Sequence, residues 1–288
     1  MLDELGDLLD ELDGEFDPVL LECLAPSAGA TPGAVPDADI EAQVEAIEAI
    51  VAAERGLPAG DDLSIEFVTP EEVQRRAVEI NEDELDAEEA AVATDILAAL
   101  GAVEPGTDLV QAQLDALEAG VGGFYDLRTG ELVIGSESMD AMGTFITAHE
   151  LVHAMADASL GLPDLDAIAE EEGSDAAYAA LSAVEGDATL YSQQFVGDHL
   201  PLSQLLELEA MSAETEDALA GMPHFVTRNL EFPYLEGMTF TCHTYLDGGW
   251  SAVDDTYENP PATTAQVLFP ERYQSGEKAV DVRAPSGP

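Results

Sequence analysis

The chain has 288 residues, with 8 Lys and Arg against 61 Asp and Glu, so its formal charge is 8 − 61 = −53, yet 46% of its residues are hydrophobic. Nucleic-acid affinity comes from Lys and Arg displacing counterions, and anionic head groups repel a surface this acidic, so nucleic acid and anionic membranes are excluded as partners. Apolar residues recur periodically from Ile40 to Leu268, which excludes a disordered chain. Repulsion spread along the whole length needs screening. At ~1 M salt the Debye length is about 3 Å, against about 8 Å at physiological strength, so the composition points to a halophilic protein, with an acidic exported protein as the competing reading.

In chain order, Leu2, Leu5, Leu8, Leu9 and Leu12 follow helical spacing between acids and predict a short amphipathic helix. The start MLDELGDLLDELDGEF has no basic leader, and no window approaches a membrane span. The expected location is therefore the cytoplasm, with export or surface anchoring as the alternative if the true start lies upstream. Residues 25 to 39 are Pro-, Gly- and Ala-rich and read as a linker, giving an N-terminal region 1–38, a folded domain 39–275 and a flexible tail 276–288. Cys23 lies in the separable N-terminal region and Cys242 in an apolar helix, so no disulfide is expected between them.

Within the domain, Ile40, Val44, Ile47, Ile50 and Val51 line one helix face, with Asp39 as its cap and Gly56 as its end. Leu63 to Val68 alternates as a strand, and Thr69-Pro70-Glu71-Glu72 combines a cap, a first-turn proline and an acid to start another helix. Two more helices end near Gly101 and Gly120. Phe124 and Leu132 to Ile134 flank Arg128-Thr129-Gly130 as a hairpin. From Ser138 onward the pattern is helical, with long helices over Ser174 to Val196 and Pro233 to Leu246, and a helix opened after Trp250 by Ser251 and Asp254 in capping-box positions. The fold class is α+β, a small sheet with a hairpin followed by a helix-rich C-terminal half.

His149-Glu150-Leu151-Val152-His153 carries the chemistry. Residues four apart on a helix project from one face, so both imidazoles can reach one cation, Zn2+ by default. Glu150 between them is placed to take a proton from water polarised by that cation. Phe145, Ile146, Leu151, Val152 and Met155 make the segment a buried helix, where histidines without partners are costly. The third metal ligand has two sources. Glu170-Glu171-Glu172 lies just downstream but reads as a solvated run. Glu185, among Leu181, Ala183, Val184, Ala188 and Leu190, is an acid in an apolar helix and needs a partner, and Gly186 beside it permits close helix packing.

H-E-L-V-H followed by a helical E-G-D-A-T resembles the gluzincin class of zinc metallopeptidases. The chain is more closely similar to an uncharacterised bacterial and archaeal family of H-E-x-x-H metalloproteases. That similarity runs through GGFYDLRTGELVI, HELVHAM, VEGDAT, FPYLEG, GGWSAVDDTYENPPATT and FPERY, over roughly residues 40 to 275. Two segments depart from the family pattern, Met155-Ala156-Asp157-Ala158 and Thr263-Thr264-Ala265-Gln266. The resemblance implies a zincin-like fold, zinc on His149, His153 and Glu185, Glu150 as general base, and a peptide or protein substrate. Tyr234, in FPYLEG, is the candidate to stabilise the oxyanion that attack on a carbonyl creates. His224 and His243 rank behind it, and His199 is given no role. The edge of the hairpin is a candidate to pair with an extended substrate. The rival reading is a non-catalytic scaffold of the same fold that binds a partner.

Overall fold

The computed structural model describes residues 18–58, 63–82, 87–126, 129–136 and 138–280. The helix expected over Leu2 to Leu12, Arg128 of the hairpin turn and the end of the C-terminal tail lie outside the described residues. The described residues are mostly helical with a small three-stranded sheet, which fits the α+β class. In order the elements are α1 Pro18–Cys23, α2 Ile40–Glu54, β1 Ser64–Phe67, α3 Pro70–Glu82, α4 Ala87–Leu100, α5 Leu109–Gly120, β2 Gly123–Asp126 and β3 Glu131–Ile134. There follow α6 Ala141–Ser159, α7 Leu165–Glu171, α8 Ser174–His199, α9 Leu202–Leu219, α10 His224–Gly248, α11 Trp250–Glu258, α12 Thr264–Leu268 and α13 Pro270–Gln274. No helix is long and apolar enough, among the described residues, to cross a membrane.

Two compact units divide the chain, and α8 and α10 contribute residues to each. The first comprises 22–159 and 188–232 and contains the sheet, of order β1-β3-β2. The hairpin is antiparallel, Gly123 opposite Ile134, while β1 runs parallel to β3, Ser64 opposite Glu131. β3 is therefore central, and its Leu132, Val133 and Ile134 are almost fully buried. The apolar face of α6 covers β2 and β3, with α2 and α9 packed on the same helix. Asp39 caps α2 as expected, its carboxylate accepting from the Ala42 N–H at 3.1 Å, and Gly56 ends it with φ 83°. Leu109, Ala116, Leu219 and Val226 form a smaller apolar cluster, with Leu97 and Phe225 packed against it.

The stretch expected to be a linker has no regular element between α1 and α2, but it is attached to the C-terminal half of α8. The Gln194 amide donates to Cys23 O at 2.9 Å, Ser27 N–H to Asp198 Oδ1 at 2.8 Å, and Gly33 N–H to His199 O at 2.7 Å. Small residues let this segment follow the helix closely enough for its backbone to bond, a use of Gly and Ala that composition does not separate from flexibility. The cysteine expectation fails outright: neither thiol is free, and Cys23 and Cys242 are both disulfide-bonded.

Of the described residues, the second unit comprises 18–21, 160–187 and 233–280. In it α8 and α10 cross at Gly186 and Gly237, where a Cβ added to Gly186 would fall 2.2 Å from the Gly237 carbonyl carbon and oxygen. Only two glycines allow backbones this close. α12 is capped by Thr263 and joined to α8 through Thr264, whose hydroxyl donates to Asp175 at 2.6 Å. Two expected helix starts are corrected. α10 begins at His224 rather than Pro233, because Val226 and its apolar neighbours anchor a preceding stretch and the proline forfeits one interior hydrogen bond. α11 is capped by Gly249 at φ 69° with no side-chain cap bond, so Ser251 and Asp254 do not form the expected capping box.

Candidate metal centre

His149 and His153 sit on consecutive turns of α6, which Asp140 opens by accepting the Gly143 N–H at 2.8 Å. The apolar residues around them bury this helix on nearly every side, leaving His149, Glu150 and His153 only 8%, 6% and 7% exposed. The two Nε2 atoms are 3.1 Å apart, and the rings meet edge to face at 82°. Two nitrogens bound tetrahedrally at 2.0–2.1 Å from one zinc would be about 3.3 Å apart, so this spacing suits a shared cation. Glu185, on α8, completes the group: one ligand atom from each of His149, His153 and Glu185 lies within 4.8 Å of the others. The three form a possible metal-binding triad, and the donor set of two imidazoles and a carboxylate fits a divalent transition ion.

The competing acids do not join it. Glu170, Glu171 and Glu172 are exposed at the end of α7, as a solvated run should be. Tyr234 follows Pro233 within α10, is 39% exposed, and is not one of the converging ligands. His224 is exposed at the first position of α10, and His243 lies further along that helix.

β2 runs beside α6. A Cβ built on Gly123 would lie 2.6 Å from Ile146 Cγ2 and 3.5 Å from Glu150 Cγ, so the bare backbone of this edge strand is what fits there. Two residues on, the Tyr125 hydroxyl donates to Asp157 Oδ2 at 3.0 Å. Burial first, and then the Asp157 carboxylate, push the Tyr125 phenol up to about 12. Asp157 stands one turn beyond His153 on the same helical face.

Three further groups were not found from the sequence. Asp187, two residues after Glu185, is fully buried and accepts the Tyr257 hydroxyl at 2.8 Å. Thr189, one turn beyond Glu185, is 7% exposed and its hydroxyl has no hydrogen-bond partner among the described residues. His199, given no role from sequence, has Nε2 3.1 Å from both carboxylate oxygens of Glu54, which also accepts the Tyr191 hydroxyl at 3.3 Å. The available signal was an acid, a hydroxyl or an imidazole within an apolar helix, the same one that marked Glu185. Comparison with known proteins gives no match: no family model, curated protein or solved structure resembles the chain.

Proposed function

We propose that the chain is a zinc-dependent hydrolase of the gluzincin type, acting on peptides. The observation that carries this reading is the approach of the His149 and His153 Nε2 atoms to 3.1 Å, with a Glu185 ligand atom within 4.8 Å of theirs, and the burial of Glu150, next in sequence to His149. Zinc held by these residues supplies Lewis acidity toward a carbonyl oxygen and toward water. Among the described residues the group has three members, whereas a closed structural zinc site has four protein ligands. That favours catalysis over a scaffold role.

Glu150 takes the proton from the attacking water and returns it to the leaving amine, so the peptide bond breaks with no net change in the carboxylate. The edge of β2 pairs with an extended peptide through main-chain hydrogen bonds and aligns the scissile bond past Glu150. Tyr234 donates its hydroxyl to the oxyanion. The H-E-x-x-H helix preceded by a hairpin, with a later helix bringing the third ligand, supports a zincin-like fold, and the charge of −53 supports work in concentrated salt. The disulfide-bonded state of both cysteines favours the exported alternative over a reducing cytoplasm.

The test is metal analysis with a peptidase assay in concentrated KCl for the wild type, Glu150→Gln and Glu185→Ala. The expected result is stoichiometric zinc in the first two, peptide cleavage in the wild type only, and weakened zinc binding in Glu185→Ala. Equal cleavage by wild type and Glu150→Gln would overturn the base assignment. Zinc retention without cleavage of any peptide by the wild type would favour the scaffold.

A further inference from the structure

A hydroxyl inside a helix ordinarily bonds to the carbonyl one turn back, and the helices of this chain follow that habit. Thr94, Thr147, Ser182, Thr239 and Thr244 each donate to the carbonyl four residues earlier, at 2.6 to 3.1 Å. Thr189 of α8 departs from it. Its Oγ1 is closed off from solvent and has no hydrogen-bond partner among the described residues, the Glu185 carbonyl four residues back included. The hydroxyl is therefore turned off the helix backbone, on a residue that is only 7% exposed. A buried hydroxyl left without a partner costs stability, and valine has the same shape without that cost.

The position of Thr189 indicates what its oxygen is for. Side chains four apart on a helix lie one above the other, with Cβ atoms about 5–6 Å apart, and each Cα–Cβ bond tilts toward the helix N-terminus. Thr189 is rotated about 40° from Glu185 around α8 and tilts toward its turn. Glu185 belongs to the possible metal-binding triad with His149 and His153. A carboxylate that ligates a cation through one oxygen is held by hydrogen bonds at the other, and such outer partners decide how well the ligand is placed. The other hydroxyl within one turn of Glu185, that of Ser182, already donates to the Tyr178 carbonyl. Thr189 has its proton to give.

We infer that Thr189 is a positioning residue of the metal centre: when Glu185 ligates the cation through one carboxylate oxygen, the Thr189 hydroxyl donates a hydrogen bond to the other. This rests on the metal-binding part of the proposed function and is independent of the peptidase part. The bond holds the carboxylate in one orientation and keeps its second oxygen off the cation, so that a coordination position stays open. The hydroxyl has this acceptor only while the carboxylate is fixed by the cation. Threonine at 189 therefore weakens the metal-free chain and strengthens the loaded one.

The experiment uses the full chain in KCl sufficient to keep it folded, as wild type, Thr189→Val and Thr189→Ser. Competition against a chromophoric chelator reads zinc affinity, and thermal unfolding reads the stability of the metal-free protein. Thr189→Val is expected to bind zinc about tenfold more weakly while its metal-free form melts at or above wild type, opposite signs that a hydroxyl serving only the fold does not give. Thr189→Ser, which keeps the hydroxyl, should bind zinc within about twofold of wild type. In a Glu185→Ala background, Thr189→Val should change zinc affinity by less than about twofold, because the carboxylate it acts through is gone. Unchanged zinc affinity in Thr189→Val, a serine variant as weak as the valine one, or a further loss of about tenfold in the Glu185→Ala background would each overturn the positioning role. A metal-free Thr189→Val that melts lower than wild type, or does not fold, would also overturn it by showing that the hydroxyl serves the fold. A wild type that binds zinc with this hydroxyl dependence but cuts no peptide refutes the peptidase reading alone. Unchanged zinc affinity in Thr189→Val beside peptide cleavage by the wild type refutes the positioning role alone, and a wild type that binds no zinc removes both.

Discussion

Replacing Gly186 by alanine tests how Glu185 is positioned. Within a helix this change ordinarily stabilises by about 1 kcal/mol, because glycine loses the most backbone freedom on folding. At Gly197, on the same α8, an added Cβ meets nothing within 4 Å, so alanine there should give that ordinary gain. At Gly186 the Cβ would stand 2.2 Å from the carbonyl of Gly237 and 2.7 Å from Thr241 Oγ1, where ordinary contact begins at 3.4 Å. The shortfall, 3.4 − 2.2 = 1.2 Å, is against backbone, so no side chain can turn aside to relieve it. Overpacking of this kind costs about 1–3 kcal/mol, which outweighs the helix-propensity gain. Metal donors must be placed within about 0.2 Å, so a helix displaced by a substantial part of 1.2 Å carries Glu185 out of ligating position. Gly186→Ala should therefore melt lower than wild type and lose at least about tenfold in zinc affinity, while Gly197→Ala melts at or above wild type with zinc affinity unchanged. Thermal unfolding and competition against a chromophoric chelator measure both. If Gly186→Ala matches Gly197→Ala in each assay, the close helix crossing does not set the position of the ligand.

Tyr257→Phe removes one donor from the fully buried Asp187 carboxylate and should lower stability by about 1–3 kcal/mol in urea unfolding, whereas an effect under a few tenths would show the bond to be dispensable. Glu72 is held down to about 2 by hydrogen bonds from Arg75 and Arg76. Its folded value lies below its unfolded value of 4.5, so its contribution is present above about pH 4.5 and fades as pH falls toward 2, and Glu72→Gln should flatten that acid limb of the unfolding midpoint. The effect is small because the group is solvent-exposed. Dilution from ~1 M KCl to tens of millimolar should unfold the chain as screening is lost, read by circular dichroism, and an unchanged spectrum would remove the case for salt adaptation.

Much of α6 was legible because its geometry is local. Two histidines four apart and an acid between them need only a helix, and the apolar residues around them dictate that the helix is buried. The Asp39 cap, the Thr69-Pro70 start and the hairpin were readable for the same reason: each is decided within a few residues. What sequence missed is decided at a distance. The parallel pairing of β1 with β3 joins positions 67 apart, 64 and 131, and makes β2 rather than β3 the free edge of the hairpin. The start of α10 was misplaced because a proline reads as a helix beginning unless an upstream apolar anchor, here Val226, draws the helix further back. The disulfide-bonded cysteines and the bonds from Ser27 and Gly33 to α8 likewise have no local signature.

Acid type by itself carries almost no information in a chain with 61 Asp and Glu. Most of these residues keep the surface hydrated and stand on exposed faces, as Glu170 to Glu172 do. The informative acids are those whose neighbours should have kept them out. Glu150 is 6% exposed and Asp187 is fully buried, in helices whose other residues are largely small or apolar. A carboxylate taken from water costs several kcal/mol unless something replaces the lost hydration, so each such position implies a partner. For Asp187 that partner includes the Tyr257 hydroxyl. Glu185 is half-buried, and its carboxylate comes within 4.8 Å of ligand atoms of His149 and His153, which makes the three a possible metal-binding triad.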